Sequence, residues 1–157
     1  MIDLLQNFTS GLPDLLQWVG VILAAAIPFV ESHFGAVIGV LSGINPAIAI
    51  AAAIVGNILS MLIFVFSAHG VRSKVRSGRE PKPETPRRQR LRESFDKYGV
   101  AGVSMLGWLI LPNQFTSAAM VSFGASRNAV ILWMVISITV WGVAFGVLAS
   151  LGISFLV

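Results

Sequence analysis

The first residues that could do chemistry surround a proline inside a long apolar stretch. Pro28, Glu31 and His33 interrupt the otherwise apolar residues 15–44. An ionisable side chain at membrane depth is costly to charge, so it is by default a functional-site hypothesis. Because burial favours the neutral form of a carboxyl group, we predict that Glu31 exchanges a proton. The alternative is a structural role, in which Glu31 caps the amides that are freed at Pro28.

His33 follows Glu31 by two residues, so on a regular helix the two side chains point to different sides. A proton relay through both would need a bend or an intervening water. The alternative is a histidine that lines a polar cavity.

A second polar group follows another proline. Asn113, Gln114, Thr116 and Ser117 come shortly after Pro112 in an apolar block. Their uncharged hydrogen-bonding groups could hold a substrate, or could satisfy backbone that is unwound at the proline. Together with the first group they form the predicted substrate- and proton-binding site.

Other kinds of chemistry lack the residues that they need. The chain has no cysteine, and His33 and His69 are its two histidines and are far apart in the predicted order of helices. Thiolate chemistry and a metal site are therefore not expected. The carboxylates other than Glu31 lie at the ends of apolar segments, where they face water, so no nucleophile has a base beside it. We expect neither an enzyme nor a bound cofactor.

Composition indicates a membrane protein. Of the 157 residues 55% are hydrophobic and 11% are charged, whereas a soluble domain has about 25% charged residues. Ten of the eleven basic residues lie between Arg72 and Lys97. A basic loop beside apolar spans is typical of the cytoplasmic side of a membrane, and without interleaved aromatic residues it does not indicate nucleic-acid binding. We expect a multi-pass inner or plasma membrane protein with residues 69–97 in the cytoplasm.

The order of segments predicts an all-α fold with two kinds of membrane element. Uninterrupted spans are expected at Pro46–Ala68 and from Asn128 onward, and interrupted apolar blocks at residues 15–44 and 98–124. Half-blocks of about 12 to 15 residues are too short to cross a bilayer, so each block is predicted to be a re-entrant hairpin. The alternative, one long kinked span per block, gives four spans and places Arg127 outside.

Short interfacial helices are expected before each hairpin, at residues 2–8 and 87–98. A spacing of 83 residues then relates Glu31 to Gln114 and Asn45 to Asn128. Residues 1–157 are therefore predicted to form a single membrane domain of two inverted halves, 1–68 and 98–157, separated by the basic loop and its interfacial helix. In this arrangement Glu31 and Gln114 face each other near the midplane, where half-helix N-termini favour anions.

Small residues at a spacing of four predict helix-packing faces. One follows Glu31 and a matching one follows Gln114; their members are Gly35, Gly39 and Gly43, and Ala118, Ser122 and Ser126. We expect the glycine row to pack within the chain. A further pair on the last span, Gly142 and Gly146, is a candidate for a contact between two copies.

Several short motifs resemble a known family. The sequence from Ile27 to Glu31, followed by Gly35, Gly39 and Gly56-Asn57, is similar to the small multidrug export protein family. With Leu111-Pro112 it also resembles, more distantly, the DedA or VTT-domain membrane proteins. Where that family has an arginine two residues after the glutamate, this chain has His33. Because the charge of a histidine changes near neutral pH, we expect His33 to be a pH-dependent substitute for that arginine.

The resemblance implies a small homodimeric transporter with re-entrant helices. We expect it to move a small molecule, or a lipid-linked substrate that is anionic or carries phosphate. The carboxyl group at the broken helix predicts that Glu31 couples this transport to protons. The alternatives are an ion channel, a DedA-like lipid-carrier translocase, and an accessory protein whose basic loop binds anionic lipid or a cytosolic partner. The expected partners are the bilayer, the substrate and a second copy of the chain.

Overall fold

The computed structural model describes residues 2–74 and 85–156, with side chains outside 69, 71–74 and 153–156. Residues 75–84, the centre of the predicted cytoplasmic loop, lie outside the described residues. The described residues form helices and turns without a strand, which confirms the predicted all-α class. The helices are α1 (Ile2–Ser10), α2 (Gln17–Ala25), α3 (Glu31–Leu41), α4 (Pro46–Lys74), α5 (Pro86–Leu106), α6 (Asn113–Phe123) and α7 (Arg127–Leu156), with 3₁₀ turns at Asp14–Leu16 and Gly107–Leu109.

Two of these helices are long and apolar enough to cross a membrane. They are Pro46–Ala68 within α4 and Arg127–Gly152 within α7, so two uninterrupted apolar helices lie where the two spans were predicted. Pro46 suits the first position of a helix, where its missing amide has no partner to lose. The amide of Ala47 donates to Oδ1 of Asn45 at 3.0 Å, so Asn45 caps α4.

The distribution of polarity differs from that in a soluble protein. Large apolar side chains are exposed along the helices, among them Leu15, Ile63 and Leu148 at 86%, 65% and 65% exposure. Buried side chains, by contrast, include many polar ones: Thr9, Glu31, Ser32, His33, Asn57, Ser60, Ser104, Asn113, Gln114, Thr116, Ser117 and Ser137. A soluble protein rarely exposes so many large apolar side chains. The outer surface is therefore one that lipid would solvate better than water.

The chain divides into two compact units. Unit 1 comprises Met1–Ser60 with Ile138–Val157, and unit 2 comprises Met61–Ser137. The division does not follow the two predicted halves, because α4 and α7 each contribute one part to unit 1 and another part to unit 2.

In unit 1, close packing depends on glycine. A Cβ atom added to Gly35 would lie 2.7 Å from Cβ of Ala25, and one added to Gly39 would lie 2.7 Å from Cβ of Ala49. These two glycines therefore let α3 pack tightly against α2 and α4, as the predicted within-chain face requires. Gly43 differs from the prediction. It has no neighbour within 4 Å of a built Cβ, and its φ of +85° ends α3 in the left-handed region that favours glycine.

The glycine pair of α7 also packs inside unit 1. A Cβ on Gly142 would lie 3.0 Å from Cγ1 of Ile54 and 3.2 Å from Cβ of Ser32, and one on Gly146 would meet the Ile50 side chain. This contact occupies the face that was predicted to meet a second copy. The dimer-contact interpretation of Gly142 and Gly146 is therefore corrected to a packing role within the chain.

In unit 2, a kink divides the helix that precedes the second hairpin. Gly99 has φ +66° inside α5, so residues 86–98 form a separate helical piece where an interfacial helix was predicted. The side chain of Thr85 caps this piece by accepting from the amide of Arg88 at 3.4 Å. Leu91 is fully buried on it. α5 packs on α6, and a Cβ on Gly107 would lie only 2.8 Å from Cγ2 of Thr116.

Equivalent features recur 81 residues apart. Gly43 and Gly124 both end a helix with positive φ. The amide of Ile44 donates to the carbonyl of Gly39 at 3.2 Å, and the amide of Ala125 donates to the carbonyl of Met120 at 3.0 Å. The first residues of α4 and α7 are related by the same spacing. The predicted spacing of 83 is therefore wrong by two residues.

The turn lengths explain this error. Five residues, 26–30, separate α2 from α3, whereas three, 110–112, separate the 3₁₀ turn from α6. One spacing cannot therefore fit both sides of the turn. As a consequence the predicted face of Ala118, Ser122 and Ser126 is also wrong, because Ser122 and Ser126 are exposed and Ser126 lies beyond the end of α6. The buried face of α6 consists of Asn113, Gln114, Thr116, Ser117, Met120 and Val121.

Candidate functional site

The turn between α2 and α3 holds two side chains on unusual backbone. Phe29 has φ +76° and Glu31 has φ +55°, a region in which residues other than glycine cost about 1 kcal/mol or more. The amide of Glu31 donates to the carbonyl of Ile27 at 3.2 Å. Pro28, which has no amide to donate, lies inside this turn. Strained backbone of this kind is often found where a binding site is built.

Glu31 and His33 are brought together by that backbone. Glu31 is 1% exposed and His33 is 5% exposed. Oε2 of Glu31 lies 3.7 Å from Nδ1 of His33, just beyond direct hydrogen-bond distance. The prediction that the two side chains point to different sides is wrong. It assumed regular helical geometry, whereas the left-handed conformation of Glu31 turns its side chain towards His33.

Aromatic rings surround the histidine. The His33 ring lies 4.6 Å from that of Phe34 and 5.4 Å from that of Phe145, centroid to centroid. Trp141 stands next to Phe145 at 6.1 Å. All of these residues belong to unit 1. Because aromatic rings exclude water, polar interactions between the His33 imidazole and the Glu31 carboxyl are stronger here than they would be in solvent.

Two serines hold the turn in place, and neither was among the predicted site residues. The hydroxyl of Ser32 donates to the carbonyl of Ile138 on α7 at 2.9 Å. The hydroxyl of Ser60 on α4 donates to the carbonyl of Ala26 at 2.8 Å. Ala26 lies where the turn leaves the helix, so its carbonyl needs a partner from elsewhere. The one signal in the sequence was the position of Ser32 between Glu31 and His33.

The second predicted group lies at the start of α6 in unit 2. Asn113, Gln114, Thr116 and Ser117 are all buried, at 3% exposure or less. The hydroxyl of Thr116 donates to the carbonyl of Leu111 at 2.9 Å, and that of Ser117 donates to the carbonyl of Gln114 at 2.9 Å. The two hydroxyls therefore satisfy backbone. The amides of Asn113 and Gln114 are the groups of this cluster whose size and donors suit a substrate.

The structure thus forms two polar clusters. The Glu31 cluster, defined as Glu31, Ser32 and His33, lies in unit 1, and the Gln114 cluster, defined as Asn113, Gln114, Thr116 and Ser117, lies in unit 2. That Glu31 and Gln114 face each other stays a prediction. No group of three or more residues able to bind a metal occurs among the described residues.

In comparisons with known proteins, no family model, no curated protein and no solved structure matches the chain. The resemblance to small multidrug export and DedA-like proteins therefore stays a hypothesis carried by the motifs alone.

Proposed function

We propose that this protein is a proton-coupled membrane transporter in which Glu31 carries the proton. The observation that supports this most is a carboxyl group with 1% exposure beside a buried histidine, on strained backbone, in a chain whose outer surface is apolar. An isolated buried charge is costly, so an apolar residue would stabilise this position better than a carboxyl group if the side chain served packing alone. Its presence at a helix break is typical of transport proteins.

The proposed architecture is an inverted repeat of re-entrant hairpins, each followed by a full span. Support comes from the recurrence at 81 residues and from the lengths of the hairpin helices. Asp14–Ala25 has 12 residues, and α3 and α6 have 11 each, whereas a span needs about 20. The basic segment after α4 then lies in the cytoplasm, which makes this a multi-pass protein of the inner or plasma membrane.

The proposed substrate is a small molecule or a lipid-linked anion. Protonation of Glu31 removes a negative charge from the cluster, so the affinity of the cluster for an anion changes with the proton. The neutral amides of Asn113 and Gln114 would orient the substrate without adding charge. The family resemblance favours a homodimer and includes DedA-like translocases of lipid-linked phosphates as a variant of the same function.

The test is coupled flux in proteoliposomes. Purified protein is reconstituted with a pH-sensitive dye inside, and a pH gradient is imposed in the presence of ethidium or of a short-chain prenyl phosphate. We expect substrate to move only with the gradient, and Glu31→Gln to lose at least about 90% of that flux. Asp14→Asn is the matched control, because Asp14 is an exposed carboxylate in the same unit and its loss should leave the flux unchanged.

Different outcomes would point elsewhere. Full flux in Glu31→Gln removes the coupling role. Current that does not saturate with substrate concentration, in planar bilayers, would identify an ion channel. An accessory protein would be identified if neither assay detected flux or current and if deletion of residues 72–92 abolished cellular function.

Topology is tested separately. Because the chain has no cysteine, single cysteines at Asn45 and Arg127 can be labelled from either side without background. The re-entrant arrangement requires Asn45 to be labelled from outside and Arg127 from inside. Labelling of both from outside would instead support four full spans.

A further inference from the structure

A groove along α5 in unit 2 combines a basic end with an apolar end. The basic end has a volume of about 350 Å³, and the residues that line it include Arg90, Glu93 and Lys97. The apolar end, of about 220 Å³, is lined by Val103, Leu106 and Leu109 among others. The two ends share Ser94, Tyr98 and Ile110 as lining residues. We call these two adjoining depressions together the α5 groove.

We propose that the α5 groove binds one anionic phospholipid of the surrounding bilayer. The phosphate lies between Arg90 and Lys97, and part of one acyl chain lies along Val103, Leu106 and Leu109. Nothing in this proposal depends on transport through the Glu31 cluster. It requires only that α5 lies at the membrane surface.

The charges of α5 are divided between two faces. Arg88 and Arg92 stack on the ring of Phe123, at 5.5 and 5.6 Å from its centroid, so they serve contacts inside unit 2. Arg90 and Lys97 line the groove instead. With Glu93 between them the basic end keeps a net positive charge. A monoanionic headgroup is the ligand that complements this charge.

The kink at Gly99 joins the two ends of the groove. The piece before it carries the cations, and the piece after it carries the apolar lining. Tyr98 stands at the junction, and a Cβ on Gly102 would lie 2.6 Å from its Cβ, so the tyrosine lies directly against the backbone of the second piece. A hydrogen bond with Tyr98 raises the pKa of Lys97 above its ordinary value.

An amphiphile fits this arrangement better than a free anion does. Leu106 and Leu109 are 57% and 66% exposed, and a soluble phosphate would leave both uncovered. A neutral lipid would cover the leucines but would leave the cations without a counter-charge. An anionic phospholipid satisfies both ends, as expected for an amphipathic helix at a membrane surface.

The test is lipid binding by native mass spectrometry on delipidated, detergent-solubilised protein. Phosphatidylglycerol is titrated against wild type, against Arg90→Gln/Lys97→Gln, and against Arg87→Gln/Arg92→Gln, a control that loses the same charge from the same helix. We expect the first double variant to weaken binding by roughly 10- to 30-fold and the control to weaken it less than threefold. Melting curves and circular dichroism verify that both variants are folded.

A second variant makes the opposite change. Glu93→Gln removes the acidic group from the basic end, so it should tighten phosphatidylglycerol binding by about two- to fivefold. Equal weakening in the two double variants would overturn the proposal, since it would show bulk attraction only. Binding of phosphatidylcholine as tight as that of phosphatidylglycerol would overturn it as well. So would displacement of the lipid by inorganic phosphate at the same concentration, which would mean an anion site without a lipid.

Discussion

The two hairpin turns of this protein, residues 26–30 and 110–112, occupy equivalent places in the chain but carry different side chains. In unit 1 the turn takes five residues, includes left-handed Phe29 and Glu31, and buries an acid next to a histidine. In unit 2 the turn takes three residues and is followed by neutral side chains. At the common spacing of 81 residues, Glu31 corresponds to Pro112 and His33 to Gln114. One unit therefore has ionisable groups where the other has a proline and an amide.

The packing of the helix after each turn also differs between the two units. Gly35 and Gly39 allow close approach in unit 1, whereas their counterparts 81 residues on, Thr116 and Met120, are large and buried. Thr116 satisfies the carbonyl of Leu111 from within its own hairpin, but Ala26 in unit 1 depends on Ser60 from α4. The turn of unit 2 is held by a hydroxyl of its own hairpin, whereas the turn of unit 1 is linked by hydrogen bonds to α4 and α7. A turn that is fixed by neighbouring helices can keep a strained backbone conformation.

The largest expected effect comes from moving the carboxyl group between the clusters. In Glu31→Gln/Gln114→Glu the new carboxyl lacks a histidine two residues on, because residue 116 is a threonine. We expect coupled flux to stay below about a tenth of the wild-type value, measured in the proteoliposome assay. Recovery of flux would show that the two clusters are interchangeable. The control for folding is the elution profile in detergent.

The second effect concerns close packing. A Cβ on Gly56 would collide with the backbone carbonyl of Ile22, so Gly56→Ala should lower the free energy of unfolding in micelles by about 2–3 kcal/mol. Its counterpart 81 residues on is Ser137, whose hydroxyl has no hydrogen-bond partner among the described residues. Ser137→Ala should therefore change stability by less than about 1 kcal/mol. Equal losses from the two substitutions would contradict the packing difference.

The third effect should be the same in both units. Gly43→Ala and Gly124→Ala each force alanine into the left-handed region, at a cost of about 1–2 kcal/mol. Gly43 has open space around its Cβ position, so backbone conformation alone sets that cost. Gly70→Ala is the control, since Gly70 is helical with open space and alanine there should be neutral or stabilising. Thermal melting of the three variants measures this.

The smallest effect is expected from removing the hydrogen bond between Ser60 on α4 and the carbonyl of Ala26 in the first turn. Ser60→Ala leaves the Ala26 carbonyl without the serine hydroxyl and should cost about 1 kcal/mol. Ser67→Ala is its control, because the Ser67 hydroxyl bonds the Ile63 carbonyl on its own exposed helix face. Denaturant unfolding compares the two. A loss at Ser67 as large as that at Ser60 would argue that the bond to the turn has no special role.

Local signals in the sequence predicted much of this fold. Pro46 begins α4 as expected, and α7 begins at Arg127, one residue before the predicted Asn128. Prolines, glycines and apolar runs act through nearby backbone, so they fix the ends of helices. The sequence was also enough to single out Glu31 and His33 as candidate residues, since ionisable side chains are rare in an apolar stretch.

Features that depend on distant contacts could not be predicted. The left-handed conformation of Glu31 is held by tertiary structure, and it reversed the expected orientation of its side chain relative to His33. The register of the second hairpin depends on a turn length that no single residue specifies. The roles of Ser32 and Ser60 depend on carbonyls of other helices, 106 and 34 residues away in sequence. The burial of Gly142 and Gly146 likewise depends on which helices become neighbours.

The division of the chain into units also bears on shortened forms of the protein. Unit 2 is one continuous segment, whereas unit 1 needs residues from both sides of it. A chain cut before Ile138 would therefore keep every residue of unit 2 but would lose the carbonyl that accepts from Ser32. The backbone that positions Glu31 and His33 thus depends on residues more than a hundred positions further along the chain.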